Sequence, residues 1–246
     1  MPREQRFGKI TNYGSASNFN QGGTQGDITI TSSGAEQDEP CGRAVSPGAA
    51  VSGEGEEAGE LLAERSRNVF VVYGRDEQAR QAVFGLLRRL DLRPLEWEPL
   101  VRGGKQGAAP FLGQVVAEAP SQAQAAVVVL TPDDVVMLHP QLRSASEDRF
   151  ELYPALQPRP NVLIELGIVL AVYPKNTIIV EFGQLRPIAD LGGRNIIRFQ
   201  EGISVGETVR KIAGRLEEAG CRVDDSGADW LDTSAFTDMK AYQRKP

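Results

Sequence analysis

The chain has almost none of the residues that build metal clusters or disulfide scaffolds. It contains two cysteines, Cys41 and Cys221, and one histidine, His139, in 246 residues. Two cysteines cannot form a disulfide framework, which fits a reducing cytosol, and this set cannot supply a Cys/His zinc site. A Ser-His-Asp triad would depend entirely on His139. That residue precedes Pro140 in a polar stretch, so we expect it to be exposed rather than catalytic.

Long apolar runs and an excess of basic residues are also lacking. No apolar run is long enough to span a bilayer, and the N-terminal MPREQRFGKI lacks the apolar core of a signal peptide. The net charge is −6, and the segment from Glu36 to Glu64, with eight acidic residues and one arginine, accounts for all of it. The rest lacks the basic stripe that duplex nucleic acid requires. The sequence therefore predicts a cytoplasmic protein with no nucleic-acid or membrane partner.

Changes in composition divide the chain into parts. Residues 1–34 are rich in Gly, Asn, Gln, Thr and Ser, and residues 35–66 are acidic and rich in Gly and Ala. The second segment predicts a disordered linker, because it lacks the apolar residues that a core needs. Residues 67–235 have the patterning of one globular domain, and residues 236–246 are predicted to be a tail.

Strands and helices alternate from residue 68 onward. Short, continuous apolar runs at 68–74 and 125–131 are typical of buried parallel strands. Three further strands are predicted at 92–97, 177–182 and 195–199, and helices at 76–90, 111–117 and 205–219. This order predicts an α/β fold with an open, doubly wound, five-stranded parallel sheet. Such sheets bind ligands at the carboxyl ends of their strands, near a topological switch point.

The first predicted strand is followed by Gly74, Arg75 and Asp76. Arg75 can donate charge-assisted hydrogen bonds to a phosphate, and Gly74 lets a ligand approach the backbone. The alternative interpretation is structural, with Asp76 capping the next helix and Arg75 a surface charge.

Two other loops follow predicted strands. Arg102, Gly103, Gly104 and Lys105 come after the second strand, and they either line the same cleft or form a plain surface loop. After the third strand come Asp133 and Asp134, whose carboxylates can accept ribose hydroxyls or serve a turn and a helix cap.

Glu165 is the one carboxylate in the apolar stretch NVLIELGIVLAVY, at 161–173. The apolar residues cover every face of a helix, so we expect a buried helix. Pro160 and Asn161 predict its start, with Asn161 as N-cap. Glu165 should then be largely buried, at the floor of a cleft formed by the ends of strands one and three. A buried carboxylate needs a partner or a catalytic role, and the structural alternative is an ion pair with Arg75 or Arg159.

The motifs VFVVYGRD, the glycine loop, VVVLTPDD and PRPNVLIELG together resemble bacterial Toll/interleukin-1 receptor-like (TIR-like) nucleotide-binding domains, most closely the branch found in anti-phage effectors. The resemblance runs from about residue 68 to 232 and includes GADWLDTSAF. It implies a flavodoxin-like fold and, in active members, NAD+ hydrolysis with Glu165 as the catalytic glutamate. The loops after the three strands match the ribose- and phosphate-facing positions, and Asn161 belongs to the same motif as Glu165. Tyr73 departs from the family, which usually has histidine there.

The resemblance implies an NAD+ glycohydrolase that needs no cofactor or metal and is activated by self-association, with an upstream sensor as a further partner. Residues 1–34 loosely resemble the Gly/Asn/Gln-rich motifs that form signalling amyloids ahead of bacterial effector domains, and an ordinary disordered tail is the alternative. Two other functions stay open. One is a non-enzymatic nucleotide-binding or TIR adaptor module, and the other is a nucleoside transferase, which shares the open sheet and a lone glutamate.

Overall fold

A computed structural model describes residues 59, 62–96, 119–144 and 146–246 of the protein. In chain order its strands are β1 (Asn68–Val72), β2 (Arg93–Glu96), β3 (Ala125–Leu130), β4 (Asp134–Val136), β5 (Ala155–Gln157), β6 (Thr177–Phe182) and β7 (Ile197–Phe199). Its helices are α1 (Glu77–Arg89), α2 (Arg149–Leu152), α3 (Pro160–Val172), α4 (Val205–Glu218), α5 (Ser234–Thr237) and α6 (Lys240–Gln243). Five of the strands form one parallel sheet, which confirms the predicted α/β class and strand number.

The strand order of the sheet is β2-β1-β3-β6-β7. The chain moves from β1 outward to β2, then returns past β1 to β3 and continues in the opposite direction. The switch point therefore lies between β1 and β3, where Val72 is paired in parallel register with Val128. Ligands of doubly wound sheets bind at such a point, outside the carboxyl ends of the strands.

Two hydrophobic cores cover the two faces of the sheet. Successive strand residues point to opposite faces, so Val69 and Val71 pack with α1 and α4, while Phe70 and Val72 pack with α3. The helix predicted at 76–90 has the expected apolar face. The apolar residues that share one face at helical spacing are all fully buried: Ala79, Val83, Leu86, Leu87 and Leu90.

Helix α3 differs from its prediction in two ways. Only its sheet-facing residues Val162, Leu166 and Val169 are buried, and Ile164 is 63% exposed. The expectation of a helix buried on all sides is therefore wrong, because the sheet covers one side only. The predicted N-cap is also wrong, since the cap is Arg159 and Asn161 is the second helical residue. Proline suits the first helical position because its φ is already helical and it has no N–H to satisfy.

The stretch between β3 and α3, for which the sequence predicts no strand, contains the antiparallel hairpin β4–β5, in which Val135 pairs with Leu156. Strands of three residues are too short to give a recognisable alternation in the sequence. His139, between the two strands, is exposed as predicted. Its Nδ1 accepts a hydrogen bond from the backbone N–H of Gln141 at 3.3 Å.

Both ends of the described region are more ordered than the sequence predicted. Residues 62–67 are helical, and Arg65 donates hydrogen bonds to the Pro120 carbonyl (3.2 Å) and the Gln124 side chain (2.8 Å). The predicted tail contributes three core residues that are at most 2% exposed: Phe236, Met239 and Ala241.

Several predictions fall on residues outside those that the structure describes. They concern segment 1–34, most of the acidic linker, the 102–105 loop and the helix at 111–117. Among the described helices, none is long and apolar enough to cross a membrane.

Candidate functional site

A cleft of about 210 Å³ opens at the carboxyl end of β1, beside the switch point. Its walls are the end of β1, the turn that follows and the start of α3. They bring together four residues predicted from the sequence, Gly74, Arg75, Asn161 and Glu165. The sequence predicted that the ends of strands one and three would form the cleft. In the structure the start of α3, and not the end of β3, forms the wall opposite β1.

Glu165 is the sixth residue of α3 and is partly exposed in this cleft. Its exposure is intermediate, so most of its surface is covered, as predicted, and the remainder is open because the sheet covers only one side of α3. Ile164, its neighbour in sequence, faces solvent, while Leu166 is buried. A partly exposed carboxylate pays less desolvation cost than a buried one. It is also open to a ligand and to water.

The turn after β1 is held by two carboxylates. Asp76 is the N-cap of α1, and its Oδ1 accepts the backbone N–H of Ala79 at 3.0 Å. Asp133 Oδ2 accepts the backbone N–H of Arg75 at 3.0 Å. Both carboxylate side chains are only 4% exposed. A ligand contact through Asp76 or Asp133, as predicted from the sequence, would have to compete with these bonds.

Arg159 is a cleft residue that the sequence analysis named only as an ion-pair partner for Glu165. Its Nη1 lies 2.9 Å from Asp134 Oδ1, so the pair links the base of the β4–β5 hairpin to the N-terminus of α3. The sequence feature that could have identified this position is Pro160, because proline favours the first position of a helix and the residue before it is then the N-cap. An arginine cannot accept the first amide hydrogens of the helix, so its side chain is available for other contacts.

Two arginines, Arg75 and Arg159, and one glutamate, Glu165, are among the residues that line the cleft. Guanidinium groups match phosphate and carboxylate oxygens in geometry and charge, while a carboxylate accepts hydroxyl groups and stabilises positive charge. The arrangement therefore suits a ligand that carries both phosphate and sugar. Ligand pockets usually measure about 300–1,000 Å³, so the described walls account for part of a dinucleotide-sized ligand. The predicted Arg102–Lys105 contacts lie outside the described residues.

Other chemically reactive groups in the described part of the chain are not placed for catalysis here. Cys221 is buried in the core, and desolvation raises the pKa of its thiol to about 12, so it is protonated at neutral pH and not a nucleophile. No group of three or more His, Cys, Asp or Glu residues suited to a metal ion occurs within the described ranges. Glu165 is the carboxylate that the cleft itself presents.

A comparison with known proteins identifies the family of the chain. No curated protein matches the chain. Residues 68–201 match the family described as "CAP12/Pycsar effector protein, TIR domain". The match begins at the first residue of β1 and ends just after β7, so it contains all five strands of the main sheet and the whole described cleft. Because these 134 residues are more than half of the 246-residue chain, the protein belongs to the CAP12/Pycsar effector family and carries its TIR domain.

Proposed function

We propose that the protein is an anti-phage effector that hydrolyses NAD+ at the nicotinamide–ribose bond, with Glu165 as the catalytic residue. The observation that carries the proposal is the meeting of Glu165 with Arg75 in one cleft at the β1 end of the switch point. The effector role is supported by the family match, because the matched family consists of effector proteins.

The chemistry needs one well-placed carboxylate. Cleavage of the bond between the ribose C1′ and the nicotinamide nitrogen passes through an oxocarbenium-like state, as glycoside hydrolysis does. Nicotinamide leaves with the bonding electron pair as a neutral molecule, so no general acid is required and no cofactor takes part. Glu165 accepts hydrogen bonds from the ribose hydroxyls and stabilises the positive charge that develops on the sugar. Water then adds to C1′ and loses a proton, which gives ADP-ribose.

The two arginines of the cleft have different roles. Arg75 contacts the diphosphate through charge-assisted hydrogen bonds, while Arg159, already paired with Asp134 at 2.9 Å, shapes the cleft at the start of α3. A phosphate contact that is equally strong before and during the reaction contributes uniform binding. Arg75 therefore acts on substrate affinity, and Glu165 acts on the chemical step.

Self-association completes the proposal. Five large hydrophobic side chains between residues 135 and 164 are at least 50% exposed: Val135, Met137, Leu142, Tyr153 and Ile164. Exposed apolar side chains mark an interaction surface where they form one contiguous patch, and we infer such a patch here. They favour contact between TIR domains, controlled by an upstream sensor, with residues 1–34 as a second assembly segment. The same observation favours the second candidate function, a TIR adaptor that binds nucleotide without turning it over.

The test measures nicotinamide release from NAD+ by the full chain at high protein concentration. Glu165→Gln keeps the shape and removes the charge, and we expect it to stay folded with turnover at least roughly 100-fold lower, as for the loss of one transition-state contact. The matched control is Glu218→Gln, on the exposed surface of α4, where the carboxylate side chain is 72% exposed.

The outcomes separate the candidate functions. Turnover that survives Glu165→Gln contradicts the catalytic role. Binding of NAD+ without nicotinamide release, in a folded and self-associated wild-type protein, supports the adaptor instead. A base-exchanged or deoxynucleoside product in place of ADP-ribose supports the nucleoside transferase.

A further inference from the structure

Arg244 lies outside the family-matched residues 68–201. Its guanidinium group lies next to Asp76 and Asp133, the two buried carboxylates that hold the turn after β1. Its Nη2 donates to Asp76 Oδ2 at 2.9 Å, and its Nη1 donates to the Pro132 carbonyl at 2.9 Å. The same Nη1 lies 3.8 Å from Asp133 Oδ1. One guanidinium group therefore connects the residue that caps α1 with the residue that holds the Arg75 amide.

The segment that carries Arg244 is fixed to the domain independently of it. Met239 and Ala241 lie in the hydrophobic core. Gln78, on α1, donates a hydrogen bond to the Asp238 carbonyl at 3.0 Å and accepts one from the Lys240 amide at 3.1 Å. Gly183, at the end of β6 with φ +71°, faces the Ala241 carbonyl so closely that a Cβ there would overlap the oxygen. Arg244 thus directly follows an anchored helix, α6, as its C-cap.

The charges explain what Arg244 contributes. Asp76 and Asp133 are each 4% exposed, and both face the Arg244 guanidinium. Buried charges need a counter-charge and hydrogen bonds. Without the Arg244 guanidinium, the two neighbouring carboxylates would repel each other and tend to move apart. Movement of Asp133 would release the Arg75 amide, which it accepts at 3.0 Å. Movement of Asp76 would loosen the start of α1.

We propose that Arg244 is a positioning residue for the cleft: it holds the Gly74–Arg75 turn in its ligand-binding conformation through Asp133 and Asp76. The kinetic part of this inference rests on the proposed NAD+ hydrolysis, and the structural part does not. The guanidinium of Arg244 bonds to Asp76 and to the Pro132 carbonyl, which are not among the described residues that line the cleft, so it acts on substrate binding through the turn.

The test compares two arginines that both tie the C-terminal segment to α1. Arg244→Met removes the ion pair at the N-terminal end of α1. Arg89→Met removes the pair with Asp232, 3.3 Å long, near the other end of that helix. We expect Arg244→Met to raise the KM for NAD+ roughly tenfold, as the loss of charged hydrogen bonds does, with a much smaller change in kcat. Arg89→Met should leave KM unchanged.

A second measurement does not depend on activity. Hydrogen–deuterium exchange of the peptide covering residues 73–79 reports the Arg75 and Ala79 amides directly, and we expect exchange to be at least about tenfold faster in Arg244→Met and unchanged in Arg89→Met. Arg244→Lys keeps the charge but loses the forked geometry, so its exchange rate and KM should lie between those of the wild type and Arg244→Met.

The outcomes decide whether Arg244 positions the turn. An unchanged KM and unchanged exchange in Arg244→Met, or equal changes in both methionine variants, overturn the inference. If Arg244→Met does not fold, Arg244→Lys is compared with Arg89→Met in the same way. If the wild type shows no NAD+ turnover, the proposed function fails, and the exchange measurement alone decides whether Arg244 positions the turn.

Discussion

Gly74→Ala is a direct test of how the turn in the cleft is built. A Cβ added at this residue would overlap Asp133 Oδ2 and would lie 3.1 Å from Asp133 Cγ and 3.2 Å from Thr131 Oγ1. Normal van der Waals separations are about 3.5–4.0 Å, so either the carboxylate or the turn must move. The overlapped oxygen is the one that accepts the Arg75 amide, so a shift of the carboxylate away from the added Cβ weakens that hydrogen bond.

The expected loss of stability combines two effects. Overpacking a fixed site costs about 1–3 kcal/mol, and a hydrogen bond to a charged group contributes about 1.5–3 kcal/mol. The two overlap, because the same displacement relieves the clash and weakens the bond. The smaller entropy of the unfolded alanine chain offsets about 0.4–1 kcal/mol. We expect a net loss of about 2–4 kcal/mol, which for a domain of this size lowers Tm by roughly 5–12 °C.

Gly85→Ala is the matched control. Gly85 lies inside α1, and a Cβ there would meet no atom within 4 Å. Alanine is a better helix former than glycine by about 1 kcal/mol, so the same substitution should stabilise the protein at this position. Urea unfolding followed by circular dichroism measures both free energies. A Gly74→Ala protein at least as stable as the wild type would show that Asp133 is not fixed against the turn.

Three further predictions address the cleft, the core and the N-terminal segment. Arg75→Ala should raise the KM for NAD+ more than it lowers kcat, because a phosphate contact contributes uniform binding; steady-state kinetics with an unchanged KM would remove Arg75 from the site. Burial raises the pKa of Glu181, against the opposing effect of Arg198. Its contribution to stability should be complete below the pKa of an unfolded glutamate, about 4.3, and lost as the pH rises through the folded value. Glu181→Gln should remove that pH dependence. The effect is contradicted if the free energies of unfolding of the wild type and of Glu181→Gln change in parallel across the pH range. Deletion of residues 1–34 should leave the TIR domain folded but abolish concentration-dependent activation; equal activation of the truncated and full chains, in NAD+ turnover assays across protein concentrations, would show that the segment is only a tail.

The sequence by itself determined the fold class and identified four of the residues that line the cleft. Continuous apolar runs such as Ala125–Leu130, which is buried at every residue, identify parallel strands because both faces of the sheet are covered. The first predicted strand is followed by Gly74 and Arg75, which the structure places beside the switch point. The lone carboxylate in an apolar helix identified Glu165 as the candidate residue, and its motif gave the resemblance that the family match confirms.

Only the tertiary structure decided which side of each element is covered and what meets across the chain. Helix α3 is apolar all round, yet the sheet covers one side, so Glu165 is partly exposed and Ile164 faces solvent. The pairing of Arg244 with Asp76 joins residues 168 positions apart, and no local pattern encodes such a contact. Periodicity reports the local conformation of a segment, because backbone geometry fixes which residues share a face. Burial and long-range ion pairs depend on which other segments pack against an element, and only the tertiary structure of the whole domain determines that.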